Sequence, residues 1–252
     1  MKPTLILDFD GTFITEETFS ILGTLALMGH PERGDRVQKI NEITNEGMNG
    51  SIPFDESLRR RFDLLDLNLT HVEETTALIT QMFISPSFRS YARELRAYAD
   101  NIFIVSGGFK DIIVPVVAAF DISADHVFAN TLRYEGQRCI GVDPENHMAK
   151  DGGKILVVNE LKALHNLSNP FIAIGDGYTD WQLLEAGAVD DFYAYTESAR
   201  RERVISLAGE HRVISSLDPI ATMLNWRCPL TPEGQPARIS AEIHPMSMQS
   251  RK

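Results

Sequence analysis

The chain has 252 residues, 43% of them hydrophobic, which is enough apolar material for one larger domain plus a smaller one. Its net charge of −11 argues against a nucleic-acid or anionic-membrane surface as the main partner. Cys139 and Cys228 stand far apart in no metal-ligand spacing, which argues against a disulfide framework or a zinc site.

In chain order, Met1, Lys2 and Pro3 lead straight into the apolar run Leu5, Ile6 and Leu7, with neither a leader nor a membrane-spanning pattern before it, so a cytoplasmic protein is expected. The run ends in Asp8, Phe9, Asp10, Gly11 and Thr12, the pattern of a buried parallel strand closed by a glycine turn. Alternation along a strand sends Asp8 and Asp10 to one side and Phe9 to the other. Two carboxylates in one site repel, and such an arrangement persists only where a cation or a shared proton compensates.

The next stretch, 13–87, is too long for a single crossover helix. Its amphipathic spacing predicts four helices, over Thr18 to Met28, Asp35 to Glu46, Phe54 to Leu65 and Val72 to Met82. Four helices inserted between two strands make a small helical domain. Its connections are placed near Thr12 to Thr15 and Ser85 to Ser87.

Helix and strand then alternate. Helical spacing over Phe88 to Tyr98 precedes a strand over Ile102 to Val105 and a helix over Asp111 to Phe120, which Pro115 either kinks or begins. Val127 to Leu132 and Gln137 to Val142 read as the two strands of a hairpin turning at Glu135 and Gly136. A helix over Lys154 to Leu164, a strand over Phe171 to Ile174, a helix over Asp180 to Ala186 and a last strand over Phe192 to Tyr195 complete the pattern. This alternation predicts an α/β fold with a doubly wound parallel sheet. The boundaries are 1–12 and 88–224 for the core, 13–87 for the helical insertion, and 225–252 for a loosely held tail.

Three later stretches join the first acidic one. Ser106, Gly107 and Gly108 follow one predicted strand, Lys154 heads a helix, and Gly175, Asp176, Gly177, Tyr178, Thr179 and Asp180 follow another strand. Open α/β sheets place their ligands at such strand ends. In this order the four stretches resemble the haloacid dehalogenase superfamily, mostly phosphatases with an aspartate nucleophile. The resemblance implies a Rossmann-type core with an inserted four-helix cap. It also implies Asp8 as the nucleophile that forms an aspartyl phosphate, and Asp10 as the general acid and base. Asp8, the backbone carbonyl of Asp10, and Asp176 would hold Mg²⁺, with Asp180 as a further or supporting ligand. Ser106 and the amide of Gly107 would hold the phosphate, and Lys154 would be the counter-charge. Lys150 competes for that last role, but Val157, Val158 and Leu161 follow Lys154 at helical spacing and put it at a helix start.

Within the superfamily, the segment Phe54, Asp55, Glu56, Ser57, Leu58, Arg59, Arg60, Arg61 and the segment Val105 to Phe109 resemble phosphoserine phosphatases. This implies Glu17 for the substrate ammonium, Arg61 for its carboxylate, and Met48 and Phe54 as apolar residues of the cap. Thr179 stands where that family commonly carries Asn, which leaves serine as the leaving alcohol less firmly indicated than phosphate transfer itself. The partner implied is a small phosphomonoester. Another small phosphomonoester, a phosphotransferase, and a non-catalytic phosphate-binding module are the alternatives.

Overall fold

The computed structural model describes residues 2–164 and 169–226. The first strand, β1 (Thr4–Leu7), is followed by four helices, α1 (Thr18–Ala26), α2 (Arg33–Met48), α3 (Phe54–Phe62) and α4 (Leu69–Leu78), as the spacing predicts. Two short helices, α5 (Pro86–Ser90) and α6 (Ala92–Tyr98), then lead into β2 (Ile102–Phe109), α7 (Lys110–Val117) and β3 (Val127–Asn130). A small hairpin, β4 (Leu132–Glu135) and β5 (Arg138–Val142), precedes α8 (Gly153–Leu164), β6 (Phe171–Gly175) and α9 (Tyr178–Glu185). The described chain ends with β7 (Asp191–Tyr195), α10 (Glu202–Ala208), β8 (Val213–Ile214) and α11 (Asp218–Met223).

Six strands form one parallel sheet in the order β3-β2-β1-β6-β7-β8. Its central strands are apolar throughout because both faces are covered. Leu5 and Leu7, Ile102 and Ile104, and Ile172 and Ile174 point into one core. Their neighbours Ile6, Phe103, Val105, Phe171 and Ala173 point into the other, against Val157, Val158 and Leu161 of α8. After β1 the chain builds outward through β2 and β3, then returns to place β6 on the other side of β1. The strand order therefore switches beside β1, and a crevice opens at the C-terminal ends of the strands there.

The two connections to the helical insertion lie side by side. Ile14 and Ile84 form an antiparallel bridge, and the amides of Thr15 and Ser85 donate to the carbonyls of Phe83 and Phe13 at 2.8 and 3.0 Å. Ser85 is further fixed by Tyr195 and Glu197, and the Ser87 amide donates to Glu197 Oε1 at 3.1 Å.

Three expectations need correction and one open alternative is narrowed. Val127–Asn130 is not a hairpin strand but the edge of the main sheet, parallel to β2; the hairpin is Leu132–Glu135 with Arg138–Val142. Of the two readings of Pro115, the structure removes only the one in which the helix starts beside it, since Pro115 lies inside α7. The helix expected over Phe88 to Tyr98 is two, broken at Tyr91. Phe192 to Tyr195 is not the last strand, because β8 pairs with β7 beyond α10. Of the expected tail, residues 227–252 lie outside the described residues, whereas Trp226 packs its ring 5.5 Å from that of Tyr98. Among the described residues no helix is long and apolar enough to cross a membrane.

Candidate active site

Asp8 leaves the C-terminal end of β1, with its amide still on the ladder to Ile174 O at 3.0 Å. A wide turn follows, closed by the Ile14 amide donating to Phe9 O at 3.0 Å. Within it Asp10 is extended and Gly11 takes φ 67°. Gly11 is required twice over: an L side chain rarely adopts that φ, and an added Cβ would fall 2.5 Å from Asp176 Oδ2. The first acidic stretch and the last are thereby pressed together.

Asp176 follows β6, and Asp180 stands in the first turn of α9. Carboxylate oxygens of Asp8, Asp176 and Asp180, all buried, lie within 4.8 Å of one another. Lys154, at the second position of α8, reaches in and places Nζ 2.9 Å from Asp8 Oδ1 and 2.7 Å from Asp180 Oδ1. Two carboxylates around one buried ammonium push its pKa up despite burial. Lys150, the rival, is exposed. The other Asp180 oxygen accepts from the Gly177 amide at 3.1 Å, so both its oxygens are engaged and it braces Lys154 and the turn.

Asp10 accepts from the amide of Thr18 at 3.2 Å and from its hydroxyl. Burial, helped by the Asp8 charge and opposed by Thr18 and Arg61, lifts its pKa to about 7. Ser106, near the end of β2, is buried, and its Oγ accepts from the Gly108 amide at 3.1 Å, which leaves the hydroxyl proton free to be donated. Asp8, Asp10, Glu17, Met48, Phe54, Arg61, Ser106, Gly107, Lys154 and Thr179 line one cavity of about 30 Å³ between the sheet and the helical insertion. Arg61 is buried, stacked 4.1 Å from the Phe19 ring centre and donating from Nε to Ser57 O at 3.2 Å. Burial lowers its pKa to about 10, which leaves it charged at neutral pH.

Besides Thr18 and Phe19, which hold Asp10 and Arg61, two more distant residues of the site escape the sequence reading. Arg201, just before α10, donates from Nε to Asp176 Oδ2 at 2.8 Å, from Nη2 to Glu17 Oε1 at 2.9 Å and from Nη1 to Asn45 Oδ1 at 3.1 Å. It ties the last acidic stretch to the entrance of the insertion. Asn130, buried at the end of β3, donates to Gly107 O at 2.9 Å and holds the glycine pair near the end of β2. Nothing local marks either residue, since their partners are distant in sequence.

The charges do not balance. Among the described residues, Asp8, Asp10, Asp176, Asp180 and Glu17 face three cations, the buried Lys154 and Arg61 and the partly buried Arg201. Asp176 Oδ1 is buried and accepts no hydrogen bond, and Asp8 Oδ1 has only its ion pair to Lys154. Unpartnered carboxylate oxygens in a net-negative site fit a hard, oxygen-seeking divalent cation. Burial, the largest cause in each case, lifts Glu17 and Asp176 to about 7 and Asp180 to about 8. Because these folded-state values lie above the unfolded ones, the folded protein holds protons that the unfolded chain has released between roughly pH 4 and 8. Stability without metal is therefore expected to fall as pH rises through that window. Thermal melts of EDTA-treated protein should lose several degrees from pH 5 to pH 8, with Mg²⁺ restoring most of the loss at pH 8. Melts flat in both pH and Mg²⁺ would contradict this charge balance.

Comparison with known proteins agrees with this arrangement. The family model described as haloacid dehalogenase-like hydrolase matches residues 5–185. The phosphoserine phosphatase of Lactococcus lactis is 32% identical over 192 residues, covering 75% of this chain and 82% of its own. The chloroplastic phosphoserine phosphatase of Arabidopsis thaliana is 29% identical over 202 residues, and the match spans 80% of this chain and 65% of that one. Among solved structures, a phosphoserine phosphohydrolase-like protein from Francisella tularensis superposes with a TM-score of 0.79 at 28% identity, covering 88% of this chain and all of that one.

Proposed function

The chain belongs to the haloacid dehalogenase-like hydrolases, and on that premise we propose that it hydrolyses L-phosphoserine to L-serine and phosphate, with residues 13–87 as a cap over the site. The observation that carries the reading is the single cavity in which Asp8, Asp10, Ser106 and Lys154 meet Glu17 and Arg61. The first four residues suit any phosphomonoester. The last two add the anion and the cation that a phosphorylated amino acid needs.

Asp8 attacks phosphorus; its Oδ–P bond forms while the bond from phosphorus to the serine oxygen breaks. Asp10, held near neutrality by burial, gives its proton to that leaving oxygen. In the second step Asp10 takes a proton from water, the water oxygen bonds to phosphorus, and the bond to Asp8 breaks. The hydroxyl of Ser106 and the amide of Gly107 hold the phosphoryl oxygens. Lys154 offsets their charge beside Asp8. Asp8 and Asp176, with the backbone carbonyl of Asp10, would hold Mg²⁺, and Asp180 braces Lys154. When bound, the ion supplies positive charge that lets an anionic nucleophile and an anionic phosphate approach each other. Arg201 occupies one oxygen of Glu17 and leaves the other for the substrate ammonium. Arg61 grips the carboxylate, and Met48 and Phe54 keep water out. Thr179 contributes a hydroxyl on the same wall.

The test is phosphate release from L-phosphoserine, D-phosphoserine, phosphoethanolamine and an aryl phosphate by the wild type and Arg61→Ala. A lost charge-assisted carboxylate contact lowers kcat/KM for L-phosphoserine by about a hundredfold. Phosphoethanolamine, which has no carboxylate, should lose less than about threefold relative to its own wild-type rate. Equal losses on both, or a wild type that prefers phosphoethanolamine, would remove phosphoserine and leave a general phosphatase.

A further inference from the structure

The cavity is small. At about 30 Å³ it holds little more than water, so a phosphate ester enters only when the helical insertion and the core separate. Besides Arg201 on Asn45, they are joined on the outer side by a contact between the C-terminal end of α2 and two residues of the core, Tyr178 of α9 and Arg203 of α10.

A helix leaves its last carbonyls without intrahelical partners, and a cation placed there satisfies them and complements the helix dipole. At the C-terminal end of α2 that cation comes from across the cleft. Arg203, exposed in the first turn of α10, donates from Nη1 to Asn49 O at 2.6 Å and to Gly50 O at 3.3 Å. Its guanidinium carbon lies 4.7 Å from the ring centre of Tyr178, at the start of α9, and that ring is backed by Trp181 at 5.4 Å. The tyrosine is also the floor on which the end of α2 rests. An added Cβ on Gly50, which has φ 68°, would fall 2.4 Å from the Tyr178 ring. Only glycine lets the turn seat there.

We propose that Tyr178 and Arg203 form a latch that holds the insertion shut over the site, as positioning residues that act through the end of α2 without touching substrate. Closure builds the latch and opening breaks it, so its strength sets how readily substrate closes the site. A cation at a helix end and a cation on an aromatic face are each modest at an exposed position, and together they set a several-fold bias toward the closed form.

The experiment uses the full chain as wild type, Arg203→Gln, Tyr178→Ala and the double variant. Amide hydrogen exchange of Asn49, Gly50 and Ser51 should accelerate at least about fivefold in each single variant. On the proposed phosphoserine reading, kcat/KM should fall about five- to tenfold, carried by KM, with kcat within about twofold of wild type. The double variant should be no more than about twofold worse than the worse single variant, since both break one latch. Exchange unchanged at those three amides, or single losses that multiply in the double variant, would overturn the proposal. A wild type inactive on phosphoserine would count against the functional reading alone, and the exchange rates would still decide the latch.

Discussion

Asp8→Asn is expected to remove turnover while leaving the fold intact. The substitution keeps shape and volume but replaces the carboxylate proposed as the nucleophile by an amide, and two of its neighbours are already committed. Asp10 has one oxygen committed to Thr18, and Asp180 has both engaged by Lys154 and the Gly177 amide. Phosphate release should fall by at least about a thousandfold. Stability should hold or rise in the absence of metal, because the change takes one negative charge out of a crowded buried cluster. Lys154 keeps its 2.7 Å partner in Asp180 and stays anchored. Melting and turnover are thus expected to move independently, which separates a chemical role for Asp8 from a structural one. Acid quenching of wild type during turnover, followed by peptide mass analysis, should find the phosphoryl group on the peptide carrying Asp8. A variant that keeps a tenth of the wild-type rate would sink the assignment.

How much of this was legible beforehand differs from element to element for physical reasons. The central strands were plain because a sheet covered on both faces leaves unbroken apolar runs, and Asp8, Ser106 and Asp176 lie at or near the ends of three such runs. The helices of the insertion were plain because each has a core-facing stripe, such as Ile40 and Ile43 on α2 or Leu58 on α3. Val127 to Leu132 misled because neither glycine nor proline marks the change of sheet at Thr131, so two short strands read as one. Beyond Tyr195 the elements are short: α10 has seven residues and β8 two, too few for a period to register. That is the stretch carrying Arg201 and Arg203. In sequence they belong to an ordinary charged run, Arg200 to Arg203. Their meaning comes from partners 184 and 154 residues away, Glu17 and Asn49, which only the folded chain supplies.

Lys154→Met is the second variant expected to have a large effect, and it also decides between the two lysines that the sequence offered. Methionine matches the length and apolar stem of lysine, so α8 should form as before. What disappears is the ammonium between Asp8 and Asp180. Without it those carboxylates face each other in a buried site, and removing one member of such a cluster costs about 3–5 kcal/mol. Part of the loss is relieved by protonation, so the variant should regain stability as pH is lowered, more steeply than wild type. On the proposed roles, turnover should fall at least about a hundredfold, because the ammonium that would offset phosphate beside Asp8 is gone. Lys150→Met removes an exposed charge and should leave kcat within about twofold. The opposite pattern, with an active Lys154→Met and a dead Lys150→Met, would transfer the role to Lys150. It would mean that the buried ammonium serves only to hold Asp180 and the start of α9 in place.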